Sequence, residues 1–198
     1  MSTDVKMMAG PTPAEFARND WALALTAVIA LLIGLVLRIT ITTQTNTYAI
    51  PGGAAVVYPT NWVADTTASE NLFNTSNPRS GSTFATHIAL LSAPLGANST
   101  LSDAAIQWTL DLSNEREHFR SISSQATRAA GTDGVKITYA YVADVGSSSL
   151  SQLPVVVQAT DTLLLVNGQV YVLRYEADAT VYNDDLGTYE RALAALKF

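Results

Sequence analysis

The chain contains no cysteine and only two histidines, His87 and His118, among its 198 residues. Without cysteine it has no disulfide, no thiolate zinc site, no iron–sulfur cluster, no c-type haem attachment and no cysteine nucleophile. Two histidines that are far apart in the sequence also offer little for acid–base catalysis or metal binding. The composition therefore disfavours an enzyme and predicts no catalytic residues, no metal site and no cofactor.

Charged residues are also scarce, at 14% of the chain against about 25% in an average soluble domain. The formal net charge of -6 argues against nucleic acid as a partner, because binding to phosphates needs a basic surface. Hydrophobic residues reach 48%, which makes general disorder unfavourable. A membrane segment is the first feature that such a composition indicates.

The longest uncharged apolar stretch covers residues 21–37 and reads WALALTAVIALLIGLVL. Extended past Arg38 to Ile41, it would form a helix about 31 Å long at about 1.5 Å per residue. That length matches a hydrocarbon layer of about 30 Å, and Trp21 and Arg38 suit the two headgroup regions. A cleaved signal peptide is the alternative, but its apolar part is usually shorter and precedes a small-residue cleavage site. We therefore predict a transmembrane helix over residues 21–41.

Basic residues on the two sides of this helix indicate its orientation. Lys6 and Arg18 precede the helix, whereas only Arg38 lies close to its other end. The positive-inside rule then places residues 1–20 in the cytoplasm as an N-terminal tail and residues 42–198 outside it. The expected protein is a single-pass protein of the plasma (inner) membrane with an extracytoplasmic, periplasmic domain.

Small side chains recur every four residues along one side of the predicted helix, at Ala22, Thr26, Ala30 and Gly34. Such a stripe allows the backbone of another helix to approach closely. Membrane helices are rich in alanine and glycine in any case, so the stripe is either a packing surface or a consequence of composition. As a packing surface it predicts partner-binding by helix packing, with other subunits of a membrane protein complex as partners and the lipid bilayer around them.

Two helices are indicated after a polar tether at residues 39–47. Thr100 and Asp103 form a capping box, which marks the start of the first helix. Its apolar stripe consists of Leu101, Ala105, Trp108, Leu112 and Phe119. A closing helix is predicted from about Asp184, where acidic residues favour a helix N-terminus. Its apolar stripe consists of Leu186, Tyr189, Leu193 and Leu196.

Strand signals dominate between these two helices. A glycine-containing turn is predicted at residues 131–134, and Asn167 followed by Gly168 is a strong signal for a hairpin. The alternation in residues 169–177 predicts a sheet that packs mainly on one side. Antiparallel strands with two helices laid on them indicate an α+β fold.

Three short motifs resemble the PsbP-like family: YPTNW at residues 58–62, GVKITY at 134–139, and GQVYVL at 168–173 followed by the closing helix. The resemblance covers residues 48–198 in order. It implies an antiparallel β-sheet flanked by helices, an α/β/α sandwich, and accessory roles beside photosynthetic and other membrane complexes rather than catalysis. The chain departs from the plant members in having its own membrane anchor, and no ligand cluster justifies transferring a metal-linked role.

Isolated candidate residues have simpler structural explanations. His87 lies in an apolar strand with no second histidine nearby, which is more typical of a structural histidine than of a metal ligand. Six aromatic residues are predicted to belong to the core rather than to a pocket: Tyr58, Trp62, Tyr139, Tyr141, Tyr171 and Tyr175.

Two functions follow as hypotheses. The first is a non-catalytic, single-span accessory or structural subunit of a multisubunit membrane complex, with photosynthetic or respiratory electron transport as the candidate process. The alternative is a membrane-anchored extracytoplasmic ligand-binding or sensory module that uses a cleft between sheet and helix.

Overall fold

The computed structural model describes residues 13–50, 53–65, 71–96, 98–143 and 154–198. Residues 1–12 of the predicted tail lie outside the described residues. The elements follow the chain in the order α1 (Pro13–Thr43), β1 (Thr45–Ala49), β2 (Ala55–Pro59), β3 (Val63–Asp65), β4 (Phe73–Ser76), β5 (His87–Ala93), α2 (Leu101–Glu115), β6 (Arg120–Ala129), β7 (Thr132–Ala143), β8 (Val155–Val166), β9 (Gln169–Asp178) and α3 (Tyr182–Ala195). The chain divides into two compact units between Gln44 and Thr45.

The first unit is the helix α1, which is longer than the predicted span. Within the described residues, one helix is long and apolar enough to cross a membrane, and the qualifying stretch is Asp20–Thr40. Proline suits the first turn of a helix, which accounts for the start at Pro13 within the predicted tail. The expected tether at residues 39–47 is wrong, because α1 continues to Thr43 and β1 follows at once. No glycine or proline interrupts these residues, so an established helix can propagate through them.

The second unit is built around one antiparallel sheet of seven strands in the order β3-β4-β5-β9-β8-β7-β6. Strands β1 and β2 form a separate antiparallel pair. Helix α2 packs on one face of the large sheet, and α3 packs on the other face together with β2. The predicted α+β sandwich with a sheet between helical layers is therefore confirmed.

Both faces of the central strands β8 and β9 are buried, so the prediction of one-sided packing is wrong. On β9, Leu173 and Tyr175 join the core beneath α3, whereas Val172 joins the core beneath α2. Arg174 and Glu176 share the α2 side with Val172 and are themselves buried. Because successive side chains of a strand point to opposite faces, these two charged residues give the α2 face the pattern of a solvent-exposed one.

The capping box at the start of α2 is present. The Asp103 backbone N–H donates to the Thr100 hydroxyl at 3.2 Å, and the Thr100 N–H donates to an Asp103 carboxylate oxygen at 2.8 Å. Helix α2 ends at Glu115, so Phe119 lies beyond the helix on which it was predicted. Phe119 still packs in the same core, with its ring centroid 5.3 Å from that of Tyr139.

Two hairpins have two-residue turns with positive φ at both positions, as in type I′ turns. Asn167 and Gly168 connect β8 and β9 with φ of 51° and 80°. The β6–β7 turn is formed by Ala130 and Gly131, with φ of 51° and 77°, rather than by residues 131–134. Alanine is a rare first residue for such a turn, which is why the turn was placed too far along the chain.

Gly168→Val should lower the free energy of unfolding by about 1–2 kcal/mol, because a β-branched residue disfavours positive φ. No heavy atom lies within 4 Å of the position that a Cβ atom would take, so the cost is conformational and not steric. Gly168→Asn is the matched control and should lose clearly less, because asparagine adopts positive φ more readily. Urea unfolding measures both, and equal losses would contradict this account of the turn.

Candidate functional site

A cleft of about 440 Å³ lies between α2 and the sheet face that α2 covers. This volume is in the range of small-molecule sites, about 300–1,000 Å³. Its polar lining residues are Asn71, Asn74, His87, Asp111, Glu115, Arg116, Tyr141, Arg174 and Glu176. Its apolar lining residues are Phe84, Ala89, Leu91, Trp108 and Leu112.

A buried ion pair between Asp161 and Arg174 lies beneath this cleft. The two residues are directly opposite each other on β8 and β9. The Arg174 Nε donates to Asp161 Oδ1 at 3.0 Å, and its Nη2 donates to Oδ2 at 2.9 Å. Trp108 Nε1–H and the Tyr139 hydroxyl donate to the same Oδ2 at 2.6 and 3.3 Å. This carboxylate is therefore fully engaged in holding the cleft together.

Glu176 forms a second centre two residues further along β9. His87, opposite it on β5, has Nε2 2.7 Å from Oε2, and the Tyr141 hydroxyl donates to Oε1 at 3.1 Å. Arg116 Nη2 and Arg174 Nε lie 3.5 and 4.0 Å from Oε1. Burial is the largest influence and raises the pKa of Glu176. The His87 hydrogen bond and the charges of Arg174, His87 and Arg116 outweigh it and lower the pKa to about 2.

The surroundings of His87 require its protonated form. Its Nε2 faces the Glu176 carboxylate, and its Nδ1 lies 3.1 Å from the backbone oxygen of Ala85. A carbonyl and an ionised carboxylate only accept hydrogen bonds, so both ring nitrogens must donate. Burial, the largest influence, lowers the pKa of His87, but the hydrogen bond and charge of Glu176 raise it above the ordinary value. With both nitrogens occupied, the imidazole has no free position for a metal or a substrate proton.

Arg116 is a weakly paired cation of the cleft. It follows the last residue of α2 as the C-cap, and its backbone N–H donates to the Leu112 carbonyl at 3.0 Å. Its guanidinium lies 4.7 Å above the centre of the Tyr141 ring. Its Nε is buried with no hydrogen-bond partner among the described residues, and the same is true of Asn74 Oδ1. Both residues line the cleft.

The residues predicted for helix packing belong to the first unit. Ala22, Thr26, Ala30 and Gly34 are on α1 and all are exposed. The Thr26 hydroxyl donates to the backbone oxygen of Ala22 at 2.8 Å, so this polar group needs no partner outside the helix. Partner-binding by the stripe stays a prediction.

Of the six aromatic residues predicted for the core, three are simply buried there: Trp62, Tyr139 and Tyr175. Tyr58 and Tyr171 are half-buried at its edge. Tyr141 is buried as well, but it also lines the cleft and supports Arg116, a role that the sequence reasoning missed.

The charged residues of the cleft were also missed, although the sequence contains one signal for them. Arg174 and Glu176 occupy alternate positions of an otherwise apolar strand. A two-residue turn at Asn167 and Gly168 places Asp161 opposite Arg174. Together these features indicate a buried ion pair on one sheet face.

The second unit resembles solved structures, although no protein-family model and no curated protein sequence matches the chain. Cyanobacterial PsbP (CyanoP) from Synechocystis aligns with a TM-score of 0.51 at 13% identity, covering 77% of this chain and 91% of that one. The domain has the PsbP-like fold. LpqN from Mycobacterium tuberculosis aligns with a TM-score of 0.55 at 11% identity over 78% and 90% of the two chains. The Ran-binding protein Mog1p from Saccharomyces cerevisiae aligns with 0.50 at 14% identity over 76% and 96%.

The resemblance inferred from the three sequence motifs is thus confirmed at the level of fold. Identities of 11–14% show a shared PsbP-like architecture and do not by themselves transfer any function. The role of this chain has to be argued from its own residues.

Proposed function

We propose that the chain is a non-catalytic, single-span accessory subunit of a multisubunit membrane complex, with its PsbP-like domain outside the cytoplasm. The observation that carries this proposal is the exposure of α1. Its side chains from Asp20 to Thr40 are exposed all round, including Trp21 at 78% and Leu31 at 75%. Apolar side chains in such numbers need lipid or neighbouring helices to cover them.

The state of the cleft residues supports a binding role over catalysis. His87 has both nitrogens engaged, and Glu176 is an ionised carboxylate held by four donors or cations, so neither is poised to exchange a proton near neutral pH. Among the residues that the structure describes, no group of three or more His, Cys, Asp or Glu side chains could hold a metal ion. None of the three similar proteins is named as an enzyme.

The names of the similar proteins describe different settings. One is a cyanobacterial PsbP, one is involved in cell envelope biogenesis, and one binds Ran. A fold that serves such different partners supports an accessory or binding role. We propose the plasma (inner) membrane as the location and electron transport, photosynthetic or respiratory, as the process to examine first.

Blue-native electrophoresis of mildly solubilised native membranes tests the subunit role. The full-length chain should migrate with larger partners. Ala30→Leu combined with Gly34→Leu should release it from them while leaving it in the membrane, because leucine prevents close approach of helices. Val28→Leu combined with Leu32→Phe, on the opposite side of α1, is the matched control and should not release it.

A chain that runs alone at its own mass would contradict the subunit proposal. Intact-mass measurement of the purified chain distinguishes an anchor from a signal sequence, since only an anchor retains Asp20–Thr40. Loss of that stretch in the mature protein would contradict the single span.

The second candidate is a membrane-anchored ligand-binding or sensory module. The cleft favours it, because a volume of about 440 Å³ is combined with a guanidinium and an amide that each have a buried atom without a hydrogen bond. Ligand-dependent melting of the purified chain would support this candidate. The absence of any such shift would leave the cleft without a ligand-binding role.

A further inference from the structure

We infer that the cleft between α2 and the sheet binds a small monocarboxylate through Arg116. This inference rests on the second candidate function and goes beyond the proposed role as a subunit. It concerns a free acid or the terminal carboxylate of a short peptide, since both present the same group.

The pairing of the charged groups beneath and within the cleft is the first argument. Three cationic groups, His87, Arg116 and Arg174, surround two carboxylates, Asp161 and Glu176. Arg174 makes three hydrogen-bond contacts to Asp161, and His87 donates to Glu176. Arg116 is therefore the one of these three cations that is not closely paired with either carboxylate. The two other carboxylates of the cleft lining, Asp111 and Glu115, lie on α2.

Arg116 is available to a ligand because its contact with Glu176 is weak. Its Nη2 is 3.5 Å from Glu176 Oε1, whereas Arg174 reaches Asp161 at 2.9 Å. A guanidinium has five N–H donors, and the Nε of Arg116 is buried without an acceptor among the described residues. Stacking on Tyr141 holds the group in one orientation, and its side chain keeps 30% of its area exposed. A fixed, partly exposed guanidinium with one donor that lacks an acceptor suits a carboxylate, whose two oxygens match its geometry.

The other walls of the cleft restrict what the carboxylate can be attached to. Phe84, Leu91 and Leu112 provide apolar surface for a hydrocarbon group. Asp111 and Glu115, one turn apart on α2, also line the cleft and would repel a second negative charge. The chemistry therefore selects a monocarboxylate with a short apolar body over a dicarboxylate.

Isothermal titration of the full-length chain in phosphatidylcholine nanodiscs tests the inference. Butanoate should bind saturably, and its neutral isostere butanamide should bind at least about tenfold more weakly, because it lacks the charge that Arg116 recognises. Butanedioate should also bind more weakly than butanoate. N-acetyl-valyl-valine and its C-terminal amide form the peptide arm, and tighter binding of the free-carboxylate peptide than of butanoate identifies a peptide end as the source.

The variant Arg116→Gln should weaken butanoate binding at least about tenfold. Arg128→Gln is the matched control, because Arg128 is an exposed arginine with 75% of its side chain accessible, and it should bind as the unaltered chain does. Should Arg116→Gln fail to fold, the comparison of butanoate with butanamide on the unaltered chain still decides the question.

Equal binding of butanoate and butanamide would overturn the inference. So would binding of butanoate by the Arg116→Gln variant as tightly as by the unaltered chain. Failure of every acid and peptide to bind at up to about 10 mM would overturn it as well. None of these results bears on the subunit role, which the electrophoresis of α1 variants tests independently. Binding of butanamide as tight as that of butanoate would retain a ligand-binding module and reject only its carboxylate specificity.

Discussion

Replacing Arg174 by methionine should lower the free energy of unfolding by about 3–5 kcal/mol, the usual cost of removing one partner from a buried ion pair. Methionine keeps much of the side-chain volume but leaves Asp161, which is fully buried, without its cation. Among the residues that the structure describes, Trp108 and Tyr139 would still donate to that carboxylate. Urea unfolding of the full-length chain in a non-ionic detergent, followed by the near-ultraviolet circular dichroism of its tyrosines, measures the loss.

Arg128→Met is the matched control for this substitution. Arg128 Nε lies 3.9 Å from Asp133 Oδ1, and the two side chains are 75% and 91% exposed. Removal of this exposed ion pair should therefore lower the free energy of unfolding by less than about 1 kcal/mol. Combining Arg174→Met with Asp161→Leu removes both charges and should recover much of the stability. A loss for Arg174→Met no larger than that for Arg128→Met would contradict the structural role of the buried pair.

Acid should destabilise the domain through Glu176. Its pKa falls from an ordinary 4.5 to about 2 in the folded chain, so its stabilising contribution is present above pH 4.5 and is lost as the pH falls towards 2. A shift of this size corresponds to about 3 kcal/mol. His87 acts in the opposite direction: its raised pKa gives stability that is complete below pH 6.5 and is lost as the pH rises through the folded value.

The variant Glu176→Gln tests this pH dependence. It should be much less stable than the unaltered chain at pH 6, and the difference should shrink by about 3 kcal/mol as the pH approaches 2. Glu115→Gln is the control, because Glu115 is an exposed residue of the same cleft and its substitution leaves the Glu176 contacts intact. A constant difference between Glu176→Gln and the unaltered chain from pH 6 to pH 2 would be incompatible with a lowered pKa of Glu176.

These two predictions concern residues whose positions have different origins. Asp161 and Arg174 are opposite each other because the turn at Asn167 and Gly168 sets the register of β8 and β9. Their pairing could have been predicted from the sequence, because a two-residue turn fixes the register of the two strands that it joins. His87 and Glu176 are separated by 89 residues, and no local signal states that β5 pairs with β9.

The errors in the sequence reasoning have a common cause. Arg174 and Glu176 made one face of β9 look solvated, although α2 covers it, because charge is normally a sign of exposure. The turn at Ala130 and Gly131 was missed because its first residue has no local preference for positive φ. In both cases the packing of the surrounding structure outweighed a local preference: that of charged residues for exposure, or that of alanine for negative φ.

The sequence by itself determined the elements that depend on near neighbours: the apolar span within α1, the capped start of α2 at Thr100, the hairpin at Asn167 and Gly168, and the α+β class. Each rests on hydrogen bonds or periodicity within a few residues. Only the tertiary structure decided that α2 would cover the second face of the sheet and bring Arg116 beside Glu176. Such placement depends on packing between distant segments, which no local sequence pattern reports. The cleft therefore could not be predicted as a site.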